Sequence, residues 1–170
     1  LEAEGVRIYP KPAALRIIKN KILQKEFYRN QQIPSSEFVV TSSLEELHTQ
    51  LNFLPAVHKL ATGGYDGRGV QIIRNTAEAN LGFNEPAVLE KMVHIKKEIA
   101  IIIAVDNSGK TAIYQPVDMV FDQQLNLLTH QLCPASLPEK VFWKAEAIAI
   151  KVVRELKSPG IFAVELFIDI

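Results

Sequence analysis

Between Ala13 and Asn30 the apolar residues Leu15, Ile18, Ile22, Leu23 and Phe27 recur at intervals of three and four, the period of one face of an α-helix. The polar side of that helix carries Lys19, Lys21, Lys25 and Arg29. Ser43 and Glu46 have the spacing of a capping box, which predicts a second helix running to about Leu51. The pattern then shortens. Strands are predicted at Pro55–Leu60, Val70–Ile73, Ala87–Val93, Glu98–Val105, Thr111–Gln115 and Asn126–Leu132, with a weak helix over Thr76–Leu81. Asp106-Asn107-Ser108-Gly109 supplies the glycine and short polar residues that close a hairpin. Ser136 with Glu139 is a second capping box, opening a long helix whose Val141, Ala145, Ile148, Val152 and Leu156 share a face. Ser158-Pro159-Gly160 stops it, and Ile161–Ile168 is a final apolar strand. Leu1–Pro12, with two prolines and a glycine around a short strand-like Val6–Tyr9, reads as a connector. An antiparallel sheet in the middle of the chain with helices at its flanks predicts an α+β fold.

At 170 residues and 48% apolar, the chain has material for one substantial core or two small lobes sharing a cleft. Lys plus Arg and Asp plus Glu both total 19, so no global field draws in nucleic acid or an anionic membrane. Any phosphate must be held locally. Cys133 is the single cysteine, which excludes an internal disulfide and a cysteine metal cluster; it is expected to be a small buried residue in a reducing cytoplasm. No apolar run approaches the roughly 20 residues of a membrane span, and no signal pattern opens the chain. His48, His58, His94 and His130 fall on unrelated elements without zinc or triad spacing and are expected at the surface or the core edge.

Four features carry candidate chemistry. Gly63-Gly64-Tyr65-Asp66-Gly67-Arg68-Gly69 holds four glycines in seven positions, more than a turn needs given their backbone entropy. It matches neither a Walker loop nor a dinucleotide fingerprint; its amides can form an anion nest, or it is a plain turn. Lys59, among the apolar neighbours of the preceding strand, can lay its stem along the core and offer its ammonium to a phosphate, or snorkel at a strand edge. Glu98 opens a strand whose odd positions Ile99, Ile101, Ile103 and Val105 are bulky, while Ala100 and Ala104 leave room beside it. It suits ribose hydroxyls, or is a solvated strand end. Glu165 is the lone ionisable residue of Ile161–Ile168. Burial there costs free energy unless a cation compensates, so it is read as a magnesium ligand or as half of a buried salt bridge. Asp169 follows on the same face by period two.

Together, Lys59, the Gly64-Gly67-Gly69 loop, Glu90-Lys91-Met92-Val93, Glu98 and Gly160–Glu165 resemble the N5-carboxyaminoimidazole ribonucleotide synthetase family of ATP-grasp enzymes. The order and spacing agree over nearly the whole chain. Gly63–Gly69 is the most specific piece, close to that family's signature. Ala13–Phe27, Tyr114-Gln115-Pro116-Val117-Asp118 and Cys133-Pro134-Ala135 are similar to its opening helix and central hairpin. The resemblance implies an ATP-grasp fold, with a connector at 1–12, the lid and opening helix at 13–92, and part of the C-terminal sheet domain at 93–170. It implies use of MgATP and bicarbonate to carboxylate aminoimidazole ribonucleotide, in a cytoplasmic homodimer; the alternatives are another ATP-grasp ligase or a noncatalytic nucleotide-binding module. Lys21 and Lys59 would approach the phosphates. Gly64, Tyr65, Asp66, Gly67, Arg68, Gly69 and Val70 would form the lid. Glu90, Lys91, Met92 and Val93 would line adenine, Glu98 would take the ribose hydroxyls, and Glu165 would hold magnesium in the catalytic centre beside Lys59.

There are departures. Lys21 stands where the family usually has arginine, losing bidentate geometry but keeping charge. Val70 replaces a frequent glutamine, and Met119 and Phe121 stand where asparagine and histidine are common. The family also has a domain before the segment corresponding to Leu1 and a second magnesium carboxylate after that corresponding to Ile170, so the chain is read as a portion of a longer enzyme that does not turn over alone.

Overall fold

The computed structural model describes residues 4–64, 69–122 and 127–169. Two units emerge, one formed by Ile17–Val93 and the other by Leu1–Arg16 with His94–Ile170. The helix predicted over 13–30 is divided in two: α1 (Pro12–Ile18) and α2 (Lys21–Asn30). The break is a cap. Asn20 takes extended backbone and its side chain accepts from the Leu23 N–H at 3.1 Å, which starts a new helix. The predicted apolar stripe does not carry through the break: Ile18 and Leu23 are exposed, and the buried residues are Ala14 on α1 and Lys25 on α2. Val6–Tyr9 joins neither sheet.

In the Ile17–Val93 unit, β1 (Phe38–Thr41), β2 (Ala56–Leu60), β3 (Val70–Ile73) and β4 (Ala87–Lys91) form an antiparallel sheet in the order β1-β4-β2-β3. The predicted capping box holds α3 (Leu44–Thr49), with the Ser43 hydroxyl accepting from the Glu46 N–H at 3.2 Å. The Glu46 carboxylate reaches back to Ser42 rather than to Ser43. Period two divides the sheet into two faces. One face packs Ala56, Ile73 and Leu89 against Leu47 and Ala79, all fully buried, with Val39, Leu51, Phe53 and Leu54 around them. Each of the leucine and isoleucine side chains contributes about 1.5–3 kcal/mol on burial. The opposite face presents Phe38, Val57, Lys59, Val88 and Glu90.

The other unit is built on β5 (Ile95–Val105), which pairs along its whole length with β9 (Gly160–Asp169). A strand has two edges, so β6 (Thr111–Ile113) and β7 (Val117–Phe121) take successive stretches of the second one, and β8 (Leu128–Leu132) adds to β7. The Asp106–Gly109 turn forms as read: Gly109 has φ +84° and the Asp106 carboxylate accepts from Ser108 and Lys110 backbone N–H groups. Ile99, Ile101, Ile103, Phe162 and Val164 are buried on the side of the sheet that carries α4 (Glu139–Glu155). The buried residues of α4 are Ala145, Ala149, Val152 and Val153. The stripe is therefore turned from the predicted Val141–Leu156 face, and its two alanines permit close approach to the sheet.

Two further expectations fail on competing hydrogen bonds and on edge position. Ser136 does not cap α4, whose preceding residue is Pro138. Its N–H donates instead to Asp118 Oδ2 at 3.3 Å and its carbonyl accepts from Lys97 Nζ at 3.0 Å. Cys133 is exposed, because it follows β8, a strand exposed at every position. Each unit thus has its own antiparallel sheet, in place of one central sheet.

Candidate functional site

Lys59 on β2 and Glu90 on β4 lie on the same sheet face because Glu90 stands opposite Val57, one pleat from Lys59. Lys59 Nζ is 3.2 Å from Glu90 Oε1. The ammonium therefore ends on a carboxylate, not at the bare strand edge that composition allowed. Sequence reasoning missed the third member. Lys25, assigned to the polar side of the opening helix, is 4% exposed and turns inward, with its Nζ 3.3 Å from Glu90 Oε2. It also donates to Ser35 Oγ, to Ser36 Oγ at 3.0 Å and to the Ser36 carbonyl at 3.0 Å, while Ser36 Oγ donates to Glu90 Oε2 at 2.8 Å.

The electrostatics follow from this crowding. Burial works against the charge on Glu90, but the Lys59 and Lys25 ammonium groups and the Ser36 hydroxyl outweigh it and hold the carboxyl below its ordinary value. For Lys25, burial dominates and lowers the pKa, opposed by Glu90 and aided by Lys59. Two cations share one carboxylate, which leaves a net positive cluster on the sheet face.

The rest of the predicted set in this unit divides by what its groups already hold. The Lys91 N–H donates to the Glu37 carbonyl and its Nζ to the Phe53 carbonyl at 3.0 Å, so both its donors serve the fold. The Met92 N–H goes to Pro55. Lys21 starts α2, and its N–H donates to the Ala61 carbonyl at 2.8 Å, tying the helix to the end of β2 two residues beyond Lys59. Val70 opens β3 opposite Lys59. Gly63 and Gly69 both have positive φ, and a Cβ on Gly69 would lie 3.0 Å from Gly64 Cα, so the described ends of the glycine loop close on each other. Tyr65, Asp66, Gly67 and Arg68 lie outside the described residues. Val93 ends the unit.

In the second unit Glu98 stands opposite Phe167 on β9 and Met119 on β7, while Glu165 stands opposite Ala100. The two carboxylates are diagonal neighbours on one face, about 7–8 Å apart at the backbone. Glu165 is exposed, along with Ile161, Ala163 and Phe167 on that face. The expectation of a buried Glu165 is therefore corrected: the strand is apolar because alternate residues pack under α4, and Glu165 belongs to the other face. Met119, one of the departures, stands directly opposite Glu98 in the strand register. Among the described residues no cluster of three His, Cys, Asp or Glu side chains forms a metal cage. The histidines do not converge: His58 is fully buried between Thr41 and Phe83, and His48 bonds Asn80 at the surface.

The chain has clear relatives. The ATP-grasp domain family matches residues 26–170. The N5-carboxyaminoimidazole ribonucleotide synthase of Synechococcus elongatus is 29% identical over 98% of this chain and 43% of its own length. The crystal structure of N5-carboxyaminoimidazole ribonucleotide synthetase from Thermotoga maritima superposes with TM-score 0.83 at 33% identity, covering 99% of this chain and 43% of that one. The Aspergillus clavatus enzyme, in complex with ADP and 5-aminoimidazole ribonucleotide, gives TM-score 0.85 at 26% identity over 98% of this chain and 45% of that one. The chain thus spans less than half the length of these relatives. No helix among the described residues is long and apolar enough to cross a membrane. With its α+β sheets and a family match over residues 26–170, the chain belongs to the ATP-grasp domain family.

Proposed function

We propose that this chain is the nucleotide-binding core of an ATP-dependent ligase that uses bicarbonate to carboxylate aminoimidazole ribonucleotide in purine biosynthesis. The observation that carries this reading is the likeness, over 98% of the chain, to an enzyme whose structure holds both ADP and that ribonucleotide. Lys59 and Lys21 are the cations assigned to the phosphates, with the glycine loop from Gly64 to Val70 over them. Because Lys91 and Met92 amides are engaged within the sheet, contacts to adenine from Glu90–Val93 fall to carbonyls and to the Val93 amide. Glu98 is assigned to the ribose.

Magnesium fits the donor set. An exposed carboxylate at Glu165, with no cage of further ligating side chains around it among the described residues, suits a hard cation that completes its shell with phosphate and water. When bound there the ion offsets negative charge during phosphoryl transfer. The assembled enzyme is proposed to be a cytoplasmic homodimer, with the lid at 13–92 and the catalytic sheet at 93–170.

Titration calorimetry of the 170-residue chain with ATP, with and without magnesium, tests the reading. Weak binding that strengthens with magnesium is expected, without carboxylation. Absence of MgATP binding at millimolar nucleotide, or binding indifferent to magnesium, would overturn it.

A further inference from the structure

The two oxygens of Glu90 are used unequally. Oε2 faces Lys25 and Ser36, and both partners are fixed: Lys25 is 4% exposed and has three further acceptors on Ser35 and Ser36. Oε1 faces Lys59, whose side chain is 23% exposed. One cation is locked and the other stands at the open end of the cluster. Were Lys59 the only cation, its departure to any other anion would strand a carboxylate that is 13% exposed, against the full cost of leaving a buried charge unpaired. With Lys25 in place, Glu90 keeps a charged partner and a hydroxyl donor whether Lys59 stays or leaves.

We propose that Lys25 is a positioning residue for Lys59: by occupying Glu90 Oε2 it releases the Lys59 ammonium to exchange Glu90 Oε1 for a nucleotide phosphate. This rests on the nucleotide-binding reading only for the identity of the incoming anion. Ser36 assists, since its hydroxyl bonds both Lys25 and Glu90. Replacing Lys25 by a neutral residue leaves one cation and one carboxylate, which pair more tightly and cancel. Lys59 is then held back from the phosphate.

The test is Lys25→Met in the 170-residue chain, read in two ways. Competitive labelling with acetic anhydride, followed by mass spectrometry, compares Lys59 with exposed lysines such as Lys140 in the same sample. Labelling of Lys59 should slow several-fold in the variant. In parallel, ADP binding should weaken by about tenfold, which corresponds to about 1.4 kcal/mol, while adenosine binding is unchanged and Lys59→Met abolishes any further effect of Lys25→Met. A merely structural role for Lys25 would weaken ADP and adenosine together and leave Lys59 labelling as it was. Unchanged or faster Lys59 labelling in a folded variant overturns the proposal. If the wild-type chain binds no ADP, the nucleotide reading fails and the labelling arm still decides the role of Lys25. If Lys25→Met does not fold, Ser36→Ala removes a donor to the same oxygen and keeps both lysines. It should slow Lys59 labelling in the same direction by a smaller factor, and no change there overturns the proposal equally.

Discussion

His58 should make the Ile17–Val93 unit lose stability in mild acid. Its ring is fully buried. Nδ1 accepts the Phe83 N–H at 3.2 Å, so the neutral ring carries its proton on Nε2 and donates it to Thr41 Oγ1 at 2.9 Å. A proton added at Nδ1 faces another N–H, and burial alone pushes the pKa down from 6.5 to about 4. The unfolded chain therefore binds a proton in a range where the folded chain does not. Stability is complete above pH 6.5 and falls as the pH drops towards 4. A shift of roughly 2.5 pK units is worth about 3.4 kcal/mol in full, of which about 2 kcal/mol is gone by pH 5. That window is separable from Glu90, whose depressed carboxyl contributes stability above its unfolded value of 4.5 and loses it only below. Urea denaturation at pH 8 and pH 5, on wild type and His58→Gln, measures the term. The wild type should lose about 2 kcal/mol more than the variant between those values. Parallel losses in the two proteins, or a His58 imidazole resonance, assigned by its absence from His58→Gln, titrating near 6.5, would refute the reasoning.

Three other outcomes follow from the same contacts. Lys59→Ala should weaken ATP binding by about 1.5–3 kcal/mol, the range for a charge-assisted hydrogen bond, with the Lys25–Glu90 pair preserving the fold; unchanged affinity by calorimetry removes Lys59 from the site. Gly82→Ala should destabilise by about 1–3 kcal/mol, because its Cβ would lie 2.6 Å from Leu47 Cδ1 and 3.2 Å from His58 Nδ1; a melting temperature equal to wild type would mean that the pocket relaxes freely. Glu165→Gln, at an exposed position, should change stability by no more than about 0.5 kcal/mol while abolishing the gain in ATP affinity from magnesium, and a retained magnesium response would reassign the metal ligand.

What the sequence disclosed and what it hid divide along the range of the forces involved. Strands β2, β3, β5 and β9 and the Asp106–Gly109 hairpin were legible because alternation, glycine and short polar residues act locally. The apolar pattern predicted neither β1 nor β7, although the resemblance placed Tyr114–Asp118, which reaches into β7, in a central hairpin. Both strands are short: β1 pairs with β4, about fifty residues away, and β7 pairs with Glu98–Ala100 of β5, about twenty residues earlier. The predicted cap at Ser136 failed because a carboxylate on β7 and a lysine on β5 took its backbone groups first. Nothing within four residues of Ser136 signals either partner.

Lys25 and Glu165 were misplaced in opposite directions for one reason. Each was judged by its neighbours in sequence, Lys25 as one of several basic residues on a helix and Glu165 as a lone charge in an apolar strand. Burial is decided instead by what lies opposite. α2 presents Lys25 to a sheet face that carries Glu90, so a buried ammonium finds its counterion 3.3 Å away. β9 shows α4 only its alternate residues, so Glu165 stays in solvent. A carboxylate in solvent has no need of an ion to make folding possible, and this changes the argument for magnesium at that position. The ion is no longer required to rescue a buried charge; it is one that an available carboxylate can share with a phosphate. Under the proposed reading the metal would enter with the nucleotide rather than bind the free chain, and its affinity should rise with nucleotide occupancy instead of with folding.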